Sequence, residues 1–64
     1  MSREDRLQKM QRLFQGRRSI SMAELMAELE VERATVKRYL DYLKNTFGIP
    51  IRYDASMRGY RVDS

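Results

Sequence analysis

"ERATVKRYLDYL", residues 32–43, has the spacing of a two-faced helix. At ~100° per residue, Val36, Tyr39, Leu40, Leu43 and, one turn on, Phe47 gather on one side of a helix. Ala34, Lys37, Arg38, Asp41 and Asn45 fall on the other. A groove-reading helix needs a rigid apolar back and a front of side chains that donate and accept, and the major groove of B-DNA, about 12 Å wide, admits such a helix. Arg33, Lys37 and Arg38 have the reach for guanine edges or phosphates. Ala34 is small enough to let the helix sit close, with its methyl against a thymine methyl. Thr35, near the N-terminus, is placed for a phosphate, and Tyr39 and Tyr42 stand at the flanks. Asp41 is expected to orient Lys37 or Arg38 through i, i+4 or i, i+3 pairing. The competing reading is a solvated helix face laced with weak ion pairs.

Working upstream, "EVE", 30–32, is a tight connection in which Val31 plugs the gap between two helices. Glu32 is a poor N-cap, although its charge suits the helix dipole. Before it, Ser21-x-x-Glu24 is a capping box that starts a short helix with Met22, Leu25, Met26 and Leu29 as its buried stripe. "RRSIS", 17–21, is a connector whose Ile20 tucks inward as a very short strand. Arg17 and Arg18 precede the helix N-terminus, where backbone amides also favour a phosphate. The first helix carries Leu7, Met10, Leu13 and Phe14 on one face, is capped by Ser2 with Glu4 and Asp5 in its first turn, and ends at Gly16.

Downstream, Gly48 stops the long helix and Pro50 prevents a restart. The period then changes. Ile51 and Tyr53 alternate with Arg52, and Tyr60 and Val62 alternate with Arg61. This pattern predicts a β-hairpin with one buried face, closed by "DASMRG", 54–59. Arg52 and Arg61 on the wet face and Arg58 at the tip are candidate phosphate or minor-groove contacts. Basic residues on a small sheet also discourage edge pairing, so Arg58 is the best placed of the three. The fold read from these elements is mainly helical α+β: three helices and a two-stranded hairpin, a winged helix-turn-helix.

Composition agrees with one small module. The 64 residues form one domain, and a chain of this size buries only about 60% of its unfolded surface. Neither cysteine nor histidine occurs, so disulfides, thiolate metal sites and the commonest general base are excluded. No carboxylate, tyrosine and lysine set is placed for catalysis, so the chain reads as a non-enzyme with no cofactor and no metal. No apolar run approaches the ~18 residues of a membrane span. The lack of cysteine fits a cytoplasmic protein. The net charge of +4 is unevenly spread. Residues 21–32 hold four acids and no base, leaving thirteen bases against five acids elsewhere, a balance of +8. Such an oriented field steers a polyanion to one side of the molecule.

Taken in order, "ISMAELMAELEV", "RATVKRYLDYLKN", "GIPIRYD" and "RGYRV" resemble the N-terminal winged helix-turn-helix of the WYL-domain transcriptional regulators, a DeoR-like group of bacterial DNA-binding proteins. The resemblance covers nearly the whole chain. It departs at Glu32, where the family often has serine, at Tyr39, where it commonly has aspartate, and at Met26, where alanine is frequent. It implies sequence-specific binding of double-stranded DNA, usually as a homodimer of a longer protein, with a ligand-sensing domain downstream and the isolated module able to be monomeric. The alternatives are a winged helix used to bind an acidic protein partner, and a binder of structured RNA.

Overall fold

The computed structural model describes residues 2–16 and 19–63. Helix α1 spans Arg3–Gly16, α2 Met22–Leu29 and α3 Arg33–Thr46; strands β1, Ile51–Asp54, and β2, Gly59–Val62, follow. Each of the first two helices opens on a reciprocal cap. Ser2 Oγ accepts from the Asp5 amide at 3.2 Å, and the Asp5 carboxylate accepts from the Ser2 amide at 3.4 Å. Ser21 Oγ accepts from the Glu24 amide at 3.1 Å, and Glu24 reaches back to Ser21, completing the capping box. Glu32, the N-cap of α3, makes no side-chain cap.

The turn between α2 and α3 is held by backbone. Glu30 adopts the left-handed conformation, φ 55°, and its amide and that of Val31 both donate to the Met26 carbonyl. This brings Val31, half-buried, against the core. The core itself is Leu7, Met10 and Phe14 of α1, Ile20 of the connector that follows it, Leu25 and Leu29 of α2, Val36, Tyr39, Leu40 and Leu43 of α3, and Ile51 of β1. Met22 and Met26 pack against it only partly buried. Tyr39 belongs to this core, which settles its place between flank and back.

Phe47 departs from the expected stripe. It is the C-cap of α3 and is 55% exposed, with its ring edge-on to Tyr42. The helix ends before a further turn can bring Phe47 inward, because Gly48 turns the chain at φ +66° and Ile49, bonded to the Leu43 carbonyl, fills the inner position instead.

The strands pair antiparallel in the register Ile51↔Val62, Arg52↔Arg61, Tyr53↔Tyr60, Asp54↔Gly59. Only part of the expected inner face is covered. Ile51 is buried and Tyr60 half-buried, but Tyr53 and Val62 are 58% and 37% exposed. Alternation sorts strand residues onto two faces, yet a two-stranded ribbon projects beyond the helices that support it. Tyr53 gains only an edge-to-face contact with Tyr60, centroids 5.2 Å apart.

Ile20 forms the expected short extended segment. Its amide and carbonyl exchange hydrogen bonds of 2.9 and 2.8 Å with Tyr60, tying the α1–α2 connector to the wing. The approach is close at Gly59, where an added Cβ would lie 2.9 Å from the Ile20 carbonyl oxygen. Backbone on both sides cannot rotate away. Gly59→Ala is therefore expected to destabilise the fold by about 1–3 kcal/mol, the range for overpacking, against a gain of only ~0.4–1 kcal/mol from reduced unfolded-state entropy. Urea unfolding checks this; unchanged or increased stability would show that the connector does not pack here as described.

Candidate nucleic-acid interface

Helix α3 is held by four buried side chains, so its outer face is fixed in orientation. Arg33, Ala34, Lys37 and Arg38 are exposed along that face, and Thr35 is half-buried at its edge. Arg33 and Lys37 have no ion pair or side-chain hydrogen bond among the described residues. Their charges are available to a ligand without first breaking a contact.

Asp41 does not do what was expected of it. It pairs with Lys44 at 3.8 Å, not with Lys37 or Arg38. An i, i+3 pair toward the C-terminus wins because Arg38 turns the other way, donating from Nη2 to Thr35 Oγ1 at 3.3 Å. The two flanks of α3 thus differ. Lys37 and Lys44 stand beside a hollow shared with Tyr53 and Tyr60 of the wing. Thr35 and Arg38 face a hollow lined by Arg3 of α1.

The wing tip is organised by one carboxylate. Asp54 Oδ1 accepts from Ser56 Oγ at 2.6 Å, from the Ser56 amide at 3.0 Å and from the Met57 amide at 3.3 Å. Arg58 then takes the left-handed conformation, φ 53°, which leads directly into Gly59. Its side chain is exposed and makes no hydrogen bond or ion pair among the described residues. The Ser56 hydroxyl, helped by the two amides and by Arg61, holds the Asp54 carboxyl below its ordinary value of 3.8, outweighing the opposing effect of desolvation.

A depressed folded-state pKa gives stability that is present above the unfolded value and lost as pH falls through the folded one. The Ser56 and Met57 amide resonances are accordingly expected to titrate on acidification with a midpoint below 3.8, the ordinary value for the carboxyl. Movement centred at or above that pH would mean the turn is not closed by an ionised Asp54.

Arg52 and Arg61 are directly opposite one another, and like charges so placed repel. Asp63 lies between them, accepting from Arg52 at 3.2 Å and from Arg61 at 3.1 Å, while Asp54 stands 3.7 Å from Arg61. Arg52 and Arg61 are therefore already partnered, whereas Arg58 is not. Exposed pairs of this kind are worth ~0–1 kcal/mol, little enough for a phosphate to replace Asp63. Arg17 and Arg18 lie outside the described residues. Glu28 of α2 pairs with Lys9 of α1 at 3.7 Å.

Two side chains near this face escaped the sequence reading. Alternation along β1 places Tyr53 inward, yet it stands exposed beside Lys37. Arg3 is 39 positions from Tyr42 in sequence, and nothing local announces that its guanidinium lies over that ring, 4.7 Å from the centroid.

Three helices, a short turn before an outward-facing third helix and an antiparallel hairpin beside it define a winged helix-turn-helix. The chain belongs to the family described as the HTH domain, whose family model matches residues 5–61. No curated protein and no solved structure matched the chain. Family membership supports DNA binding through the helix-turn-helix. Among the described residues no helix is long and apolar enough to cross a membrane, and no cluster of metal-ligating side chains occurs.

Proposed function

We propose that the chain binds double-stranded DNA sequence-specifically and serves as the targeting module of a transcriptional regulator. In this reading α3 enters the major groove with Arg33, Ala34 and Lys37 toward the bases. The wing lies on the flank with Arg58 at a phosphate or in the adjoining minor groove, Arg52 and Arg61 exchange Asp63 for backbone phosphates, and Arg17 and Arg18 add to the grip near the start of α2. The observation that carries the reading is the pair of unpartnered cations, Arg33 and Lys37, on a helix immobilised by its buried back.

The resemblance to WYL-domain, DeoR-like regulators supports the regulatory role. It also supports a bacterial cytoplasmic setting, a homodimer in a longer protein and a sensor domain after the wing. Neither a cofactor nor catalysis enters this function.

Binding of mixed-sequence and selected duplexes, followed by fluorescence anisotropy across salt concentrations, tests the reading. A protein that neutralises phosphates shows log K falling linearly with log salt, with a slope of about −0.9 per phosphate. Tighter binding to a duplex selected from a random pool than to its scrambled version is expected. The absence of salt-dependent duplex binding would overturn the proposal.

A further inference from the structure

A groove-bound helix has a phosphate strand on each side, and the wing accounts for one side only. On the wing side stand Lys37 and Lys44. On the opposite side of α3, Arg3, Thr35, Arg38 and Tyr39 surround a second hollow. Glu4 and Asp5 share the first turn of α1 with Arg3 but do not line it.

The chemistry of this hollow is one-sided. Thr35 Oγ1 accepts from Arg38, which leaves the threonine O–H as a donor. A guanidinium carries five donors and no acceptor, so Arg38 keeps N–H groups beyond the one spent on Thr35. Arg3 has its guanidinium carbon over the Tyr42 ring, a contact that engages the π face and leaves the N–H edges open. The ligand that suits such a set accepts several hydrogen bonds, donates none and is anionic.

We infer that Arg3, Thr35 and Arg38 form a binding site for one backbone phosphate of the duplex, on the strand across the groove from the wing. The inference rests on the DNA-binding reading and adds α1 to the interface. It also changes the part played by Arg38, which holds position and reads no base. Sequence preference is left to Arg33, Ala34 and Lys37, because backbone contacts fix register without carrying sequence information.

The test compares Arg3→Ala, Arg3→Gln, Arg38→Ala and the Arg3→Ala/Arg38→Ala double variant with the unaltered chain, on a selected duplex and its scrambled version, between about 50 and 200 mM salt. Arg3→Gln keeps a stem over Tyr42 while removing the charge, and a thermal melt of each variant separates misfolding from lost contact. Each single variant is expected to weaken both duplexes by the same factor, and the double variant to reduce the salt slope by about one. Wild-type affinity for both duplexes in folded Arg3→Ala and Arg3→Gln would overturn the site. So would a loss in Arg38→Ala confined to the selected duplex, which would return Arg38 to base reading. Failure of the unaltered chain to bind either duplex would overturn the DNA-binding reading instead.

Discussion

Replacing Arg33 and Lys37 together with alanine is expected to weaken duplex binding at least about tenfold, which corresponds to ~1.4 kcal/mol. The two effects should have different signatures. A cation that reads a base edge contributes ~1–3 kcal/mol, and its loss relaxes preference at one position, whereas a cation on phosphate costs affinity equally on all sequences and lowers the salt slope by about one. Neither side chain has an ion pair or side-chain hydrogen bond within the described fold, so stability should change by less than about 0.5 kcal/mol, as for ordinary surface positions. Parallel anisotropy titrations and thermal melts separate binding from folding. Unaltered affinity and slope in the folded double variant would remove the front of α3 from the interface.

Leu29→Ala should have the largest effect on the fold. Leu29 closes α2, is wholly inaccessible and sits immediately before the turn that aims α3. Leucine-to-alanine substitutions in cores cost ~2–5 kcal/mol, through lost transfer energy and the cavity left behind. At about 0.05–0.15 kcal/mol per residue, a chain of 64 residues has roughly 3–10 kcal/mol in all. The variant is thus expected to be largely or partly unfolded at ambient temperature, while Leu29→Met, nearly equal in volume, should lose under ~1.5 kcal/mol. Urea unfolding of the two reads this directly. A loss below about 1 kcal/mol in Leu29→Ala would mean that the turn is positioned by something other than this packing.

The parts of the fold governed by local chemistry were legible in the residues. Ser21 and Glu24 are three apart, so their cap forms within one turn. Val36, Leu40 and Leu43 follow the helical period, and all three are buried. Gly48 and Pro50 mark the end of α3 by backbone geometry alone.

What was not legible depends on contacts between distant segments, or on choice among equals. Asp41 has cations three and four residues before it, Arg38 and Lys37, and one three residues after it, Lys44, and the chain offers no local reason for Lys44 over Lys37. Arg52 meets Asp63 eleven positions away, a pairing created by hairpin register. Alternation put Tyr53 and Val62 inward because it encodes the face of a strand and not how far the helices extend beneath it. Glu30 occupies a left-handed position that local preference assigns to glycine, so the turn is enforced by the packing of Leu29 and Val31 around it. At the interface, the front residues of α3 were found from the wheel, whereas Arg3 required the tertiary fold to bring α1 beside Thr35 and Arg38.

The most direct measurement is an amide NMR titration of the chain with mixed-sequence duplex DNA at low salt. Resonances of residues 33–41 and 56–60 are expected to move together, with those of the acidic α2 surface around Glu24 and Glu28 little affected. If residues 33–41 and 56–60 stay fixed up to saturating duplex, α3 and the wing do not meet DNA and the proposed function fails.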